Sequence, residues 1–479
     1  LAFVLNLPKI VPIKGFRSRN PLVRLVLDLF SFEALFVLFL FAGRYKADSR
    51  FAFFPIDPTL LFMALSIAVG LVLIFQEKLY LPGAYALGVW TVFVVYMWIG
   101  LIWTEGRSYG REKLFLTTVA NTWCLIAGAL ILANSRERVQ RLMRLIVLFA
   151  IWLGVEALVA WANQGFRGRL LINNGDSYLG FGRVCGMGAI IVCAFWATSS
   201  GFTFRRLMLL GLLAMFMMVL LIGGGRGPLI ASVVPMLLIA IIGWKLTAAG
   251  RVRVMRMQIP ILLALVALVG VIAYAITSPD VDIGALSTLA RLRGVASGEL
   301  VSQSDFRRSF NITAAFTWIP RAPIFGFGVG SWPILVHNGD FQDHPHNMIL
   351  DIMFDFGLVG LAMIAALFWV CLKPITVHRL RTDPLLLATA MLTINTLMNA
   401  MTSGDLQENR AVFLMLGLLL VRAAEDPDDA DEEDDEEADE DWDDDGRRPW
   451  RAGEAEDLAE FRRLRPRIVE DFDGPSAPR

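Results

Sequence analysis

The feature that most constrains this chain is a run of about 20 mainly apolar residues, which recurs twelve times between residues 25 and 424. Inside a bilayer no water is available to backbone N–H and C=O groups, so each such run must satisfy its own hydrogen bonds as a helix. The runs lie near 25–43, 58–76, 82–103, 112–133, 142–162, 178–198, 205–222, 228–246, 258–277, 347–372, 384–402 and 409–424. The expected fold is all-α, a polytopic membrane helix bundle of about 12 transmembrane helices. With 56% hydrophobic residues and a mean hydropathy of +0.57, the chain is too apolar for a soluble globular domain.

Charge divides the chain in two. Residues 425–479 hold 24 acidic and 8 basic residues, which leaves 21 acidic and 36 basic residues in 1–424, a net +15. The stretch EDPDDADEEDDEEADEDWDDD (425–445) has too little apolar surface to fold, so 425–479 is expected to be a disordered cytoplasmic tail. Within it LAEFRRLRPRIV (458–469) has a composition suited to folding on a partner or on lipid. Cys124, Cys185, Cys193 and Cys371 all fall in apolar runs, which argues for buried thiols and against a disulfide framework. The first apolar run follows Lys9, Lys14, Arg17, Arg19 and Arg24 and lacks a small-residue cleavage site, so it is expected to be retained.

Lysine and arginine bias sets the orientation. With the N-terminus inside, the inner loops collect Arg136, Arg138, Arg141 and Arg144, then Arg205 and Arg206, then Lys245, Arg251, Arg253 and Arg256, then Lys373, Arg379 and Arg381. Arg44, Lys46 and Arg50 run against this pattern. Both termini are then cytoplasmic. The longest connection, 278–345, lies outside between helices 9 and 10, and within it 304–318 is expected to form a surface helix. A connection this long in a compact protein is expected to pack over the bundle and carry function.

No phosphate-binding GxxxxGK[ST] loop, GxGxxG turn, HExxH helix or CxxC pair is present, so soluble nucleotide, metalloprotease and redox chemistries find no support. Three polar features converge on the outer side instead: Arg226 in GGGRGP, Arg307 and Arg308 in SDFRRSF, and HPHN (344–347). Arg226 sits between flexible glycines and Pro228, which suits the first turn of a helix. Its permanently charged fork fits a diphosphate, or equally an arginine that snorkels to headgroups at a helix end. Arg307 and Arg308 read either as anion ligands or as a solvated pair. His346 titrates near neutrality and can take a proton from a hydroxyl; Asn347 can cap the following helix or orient a ligand. His344 and His346 lack a clear third metal ligand, and HPHN also reads as a plain helix start. Asp351 and Asp355 are costly in lipid and are expected to face the bundle.

The segment PHNMILDIMFDFGLVGLAMIAALF resembles the HN, hydrophobic pair, acidic residue and GxxGL motif of the bacterial O-antigen ligase and polymerase family. GGGRGPLIASVV, RSFNITAAFTWIPRAPIFGFGVGSW and TSGDLQENRAVFLMLGLLL are similar, in the same order, to that family's small-Arg-Gly helix start, its PxxGxGxG segment and its closing helix. The resemblance covers roughly 220–420. GRLLINN and GFGRVCGMGA match loosely where family members carry Arg, Gly and Asn, which makes Arg183 a candidate.

The resemblance implies a metal-independent glycosyltransferase without cofactor in the bacterial inner membrane, its active face periplasmic and 278–345 a large periplasmic loop. The implied partners are a polyprenyl-diphosphate-linked glycan donor, a sugar acceptor (lipid A-core for a ligase, growing polymer for an O-antigen or exopolysaccharide polymerase) and membrane lipid. A cytoplasmic partner is expected for the tail, and no nucleic acid. It assigns His346 as base and Arg226, Arg308, Arg307, Asn347 and Arg183 to substrate. Asp355 falls at the family's acidic position. A transporter or flippase of lipid-linked sugar is the competing reading, but it predicts paired broken helices in two halves and binding residues at mid-depth. A noncatalytic scaffold accounts for the tail and leaves HPHN and GGGRGP without a role.

Overall fold

The computed structural model describes residues 28–45, 48, 50, 56–76, 79–166, 170, 178–198, 204–242, 244–246, 252–254, 259–278, 280–298 and 303–423. The expected acidic tail, 425–479, lies outside them, as does nearly all of GRLLINN.

The chain is built from helices: α1 (Phe32–Phe41), α2 (Pro58–Gln76), α3 (Leu81–Ile102), α4 (Ser108–Leu132), α5 (Arg136–Asn163), α6 (Tyr178–Thr198), α7 (Phe204–Ile222) and α8 (Arg226–Ile242). A short antiparallel pair, Trp244–Leu246 with Val252–Val254, follows. Then come α9 (Ile259–Thr277), α10 (Ser287–Ala296), α11 (Gln303–Trp318), α12 (Trp332–His337), α13 (Met348–Leu372), α14 (Val377–Thr382), α15 (Pro384–Ala400) and α16 (Arg410–Leu418).

Among the described residues seven helices are long and apolar enough to cross a membrane: α2, α3, α4, α5, α6, α7 and α13. That is fewer than the twelve runs counted in the sequence. Apolar runs at α1, α8, α15 and α16 form helices of 10, 17, 17 and 9 residues; α1, for one, starts only after its cap Ser31, inside the run 25–43. The run at 228–246, for example, leaves the helix at Ile242 and enters the strand pair.

Helix α6 is central. Of its apolar window 72% is buried, against 11% for α2, which places α2 at the lipid-facing rim. Glycines permit the close packing of α6: a Cβ at Gly186 would lie 2.1 Å from Ser232 Oγ of α8, and one at Gly188 2.8 Å from Ala150 Cβ of α5. The GFGRVCGMGA segment is therefore a packing face that carries Arg183 into the bundle.

Helix α13 opens at Gly357, whose φ of +62° and ψ of −160° are not helical. Backbone from Pro323 to Gly328 fills the break. Phe327 and Gly328 N–H donate to the carbonyls of Phe354 and Asp355 (both 2.9 Å), while Leu358 and Val359 N–H donate to Pro323 and Ile324 oxygens (2.9 and 3.1 Å). A broken membrane helix survives when protein backbone replaces the lost helical bonds. The PxxGxGxG segment does this, with Gly326, Gly328 and Gly330 all at positive φ.

Candidate functional site: an arginine recess beside two histidines

The site begins at the end of α7. The last carbonyls of a helix have no partner within it, and here α10 supplies them: Thr288 Oγ1 donates to Leu220 O (2.7 Å) and Ser287 Oγ to Ile222 O. Gly224, at φ +84°, turns the chain, donates its N–H to Thr288 Oγ1 (2.8 Å), and accepts from Arg291 Nη1 at its carbonyl (2.7 Å). Arg226 then opens α8 and pairs with Asp305 of α11.

Arg226, Gly227, Arg291 and Arg308 line an open recess, together with Leu179 and Thr402. Three arginines thus line one recess. Among the described residues Arg308 makes no ion pair. Fixed forks of this kind suit the oxygens of a phosphate group.

HPHN adjoins this recess. Asp343 anchors the loop: it accepts the His344 N–H (2.9 Å), pairs with Arg307 (3.0 Å), and lies 2.9 Å from His337 Nε2. His346 takes a left-handed φ of +59°, rare for a side-chain-bearing residue and a local strain of order 1–3 kcal/mol. Asn347 caps α13, its Oδ1 accepting from Ile349 and Leu350 N–H (3.0 and 3.1 Å) while its Nδ2 donates to Met401 O (3.2 Å). Met401 precedes Thr402 of the recess, so the cap ties the histidine end of α13 to the arginines.

The rings of His344 and His346 meet edge-on, centroids 4.4 Å apart. Among the described residues no hydrogen bond reaches Nδ1 of His346 or either ring nitrogen of His344. Burial lowers the His346 pKa; nearby Asp343 opposes this, and Arg308 and Arg307 add to it. His344, more deeply buried, is lowered to about 4. Both imidazoles are therefore neutral at pH 7, with ring nitrogens able to accept a proton.

Of the residues named from sequence, Arg226 and Arg308 meet in the recess, and His346 lies within electrostatic reach of Arg308. Arg183 reaches toward the same region, donating to Ser403 O at 3.3 Å. Arg307 is instead turned to Asp343 and does not line the recess. Asp351 and Asp355 face the bundle, where Lys113 Nζ donates to both (2.7 and 2.8 Å).

Sequence reasoning missed Arg291, Asp305, Asp343, Lys113 and Glu408. Asp305 and Glu408 stand inside the quoted motifs and Asp343 directly before HPHN, but long-range partners give them their place: Arg291 meets Gly224, Asp305 meets Arg226, Asp343 meets Arg307 and Lys113 meets α13. Glu408 accepts from Gln342 Nε2 (3.0 Å), and its carboxyl is pushed up to about 7 by the protein around it and by Asp405.

Residues 209–365, from α7 into α13, match the family model Wzy_C, described as O-Antigen ligase. No curated protein matches the chain. The matched stretch contains the recess arginines, Asp305 and HPHN, but not Arg183 or Lys113. The helices and this match together support an integral membrane protein of glycan assembly, and the matched family suggests a glycosyltransferase-like reaction between a lipid-linked glycan donor and an acceptor. Residues 209–365, about a third of the chain, are thus similar to an O-antigen ligase domain, and this match supports the O-antigen ligase family.

Proposed function

We propose that the protein transfers glycan from a polyprenyl-diphosphate donor to a sugar hydroxyl at the outer face of the bacterial inner membrane, as a ligase or a polymerase, without a metal ion. The observation that carries this reading is the grouping of Arg226, Arg291 and Arg308 around one recess, with a neutral imidazole at His346 beside it. In the proposed step His346 takes the proton of the acceptor hydroxyl, whose oxygen forms a bond to the anomeric carbon. The bond from that carbon to the diphosphate oxygen breaks, and the diphosphate leaves with the electron pair. Diphosphate is already a competent leaving group, so fixed cations that meet its growing charge and a base for the hydroxyl are the main requirements. Arg226 and Arg308 hold the diphosphate, Arg291 joins them, and Arg183 and Asn347 position the substrates. Arg307 acts through the Asp343 loop. The twelve apolar runs are proposed to make twelve crossings, with 278–345 outside and both termini cytoplasmic.

The test is reconstitution in proteoliposomes with a polyprenyl-diphosphate-linked glycan and a soluble or lipid-linked acceptor. His346→Ala should lower kcat by roughly 10²–10⁴-fold with a small effect on KM. Arg226→Ala or Arg308→Ala should impair donor binding and rate together. Near-normal transfer by His346→Ala removes the base assignment, and donor flipping without transfer by the unaltered protein removes the enzyme reading in favour of a transporter.

A further inference from the structure

Helix α11 (Gln303–Trp318) is amphipathic in a way that a water-facing helix is not. Asn311 and Ala315 are fully buried, with Ala314 and Trp318 beside them partly so. At about 100° per residue these four span one arc of the helix. On the other side an arc of roughly 160° carries Ile312, Phe316, Phe306 and Phe310, interrupted by Ser309, Thr313 and Thr317. The exposures of the three phenylalanines are 61%, 46% and 67% for Phe306, Phe310 and Phe316, and Ile312 is 41% exposed. Beyond its first turn this outer face has no charged residue. The cations Arg307 and Arg308 lie toward the packed side, the first on Asp343 and the second in the recess.

Depth decides what covers that face. The inner side of α11 packs through Ala315 onto Trp332 and Phe354 of the same apolar cluster. Past the break at Gly357, residues 358–372 of α13 run about 22 Å at 1.5 Å per residue against a hydrocarbon core of about 30 Å, so the break lies inside that core. Phe354 lies three residues before the break, about 5 Å from it along the helix, and is therefore also below the hydrocarbon boundary. The contact of Ala315 with Phe354 sets α11 at the level of the headgroups and upper acyl chains. The exposed surface continues into Ile324 and Phe325, and Phe325 adjoins Trp103 at the end of α3 (ring centroids 6.4 Å).

We infer that α11 is an interfacial helix whose Ile312, Phe306, Phe310 and Phe316 face rests in the bilayer, with lipid acyl chains as its occupant. Helices with a broad apolar face and polar residues on the other side lie in this layer. The arginine recess then opens at headgroup depth, where a membrane-anchored phosphate already resides. The inference does not depend on glycosyl transfer.

Single cysteines at Phe310 and Phe316, and at exposed Ser297 as a control, labelled with a nitroxide in full-length protein in lipid nanodiscs, test it; the four native cysteines are buried and resist labelling. Electron paramagnetic resonance power saturation then compares collisions with oxygen, which concentrates in lipid, and with a water-soluble nickel chelate. At 310 and 316 the oxygen effect should exceed the nickel effect severalfold, with the order reversed at 297. A nickel effect at 310 and 316 equal to that at 297 overturns the inference, and so does protection from both reagents, which assigns the face to a protein partner. Transfer activity in the same samples is a separate readout and does not bear on the result.

Discussion

At the residue scale the chemistry rests on which side chains are charged at neutral pH. His346 needs its neutral form to accept a proton, and burial, together with Arg308 and Arg307, moves its pKa below the ordinary 6.5 against the opposing pull of Asp343. The base form is thus populated above that lowered pKa and lost as pH falls through it. The acid limb of kcat is expected to have its midpoint below 6.5, and Arg308→Gln, which removes a cation disfavouring imidazolium, is expected to raise it. A midpoint that stays fixed in Arg308→Gln removes the electrostatic link between the two residues. Arg226 raises a different point, because the carboxylate of Asp305 occupies its guanidinium. Any phosphate that binds Arg226 must compete with that carboxylate. Asp305→Asn is expected to tighten inorganic pyrophosphate binding about 5–10-fold, equivalent to about 1–1.4 kcal/mol, measured by calorimetry on the purified protein. Weaker binding in that variant would show that Asp305 orients Arg226 and does not compete for it.

At the scale of elements, the break in α13 and the glycine segment form one unit. Gly328 has a φ of +87°, and a Cβ there would lie 2.5 Å from Thr104 Cα, while Gly298 has a φ of +78° with open space around it. Gly298→Ala should carry only the left-handed strain of about 1–2 kcal/mol. Gly328→Ala adds a backbone clash and should shorten the half-life of the folded protein at elevated temperature far more; equal half-lives would mean that the segment yields. This unit also marks the limit of what the sequence discloses. Apolar runs announce helices because a bilayer leaves the backbone no alternative, and the surface helix at 304–318 appears as α11 for the related reason of its two-faced pattern. The FDFG stretch reads as uninterrupted helix, however, because nothing local says that the backbone of 323–328 will fill the gap at Gly357. The site divides the same way. Arg226 and His346 stand out beside glycine, proline or asparagine and Arg308 as half of an arginine pair, whereas Arg291 and Asp305 lie in ordinary helical sequence and are recruited by long-range packing.

At the scale of the whole molecule, a buried charge cluster joins segments that are far apart in the chain. Lys113 of α4 is 1% exposed and bonds Asp351 and Asp355, one turn apart on α13. Asp351 also accepts from Leu406 N–H (3.0 Å) and Asp355 from Gly330 N–H (3.1 Å), while Tyr109 of α4 donates to Asp405 (2.7 Å). The cluster therefore fastens together α4, the start of α13, the glycine segment and residues 405–406, only a few positions beyond Thr402 of the recess. Buried ion pairs add little net stability when compared with apolar packing, but removing one partner strands the other charge. Lys113→Met leaves two carboxylates facing each other out of water and is expected to destabilise by roughly 3–5 kcal/mol. Since large membrane proteins often unfold irreversibly, the measurement is the inactivation half-life of purified protein in nanodiscs. Adding Asp351→Asn and Asp355→Asn to Lys113→Met keeps acceptors for the N–H groups of Leu406 and Gly330 while removing the stranded charge, so the triple variant should regain much of the lost half-life. If the triple variant decays as fast as Lys113→Met alone, the lysine contributes through its shape and its hydrogen bonds, and charge balance is not what holds the start of α13 in place.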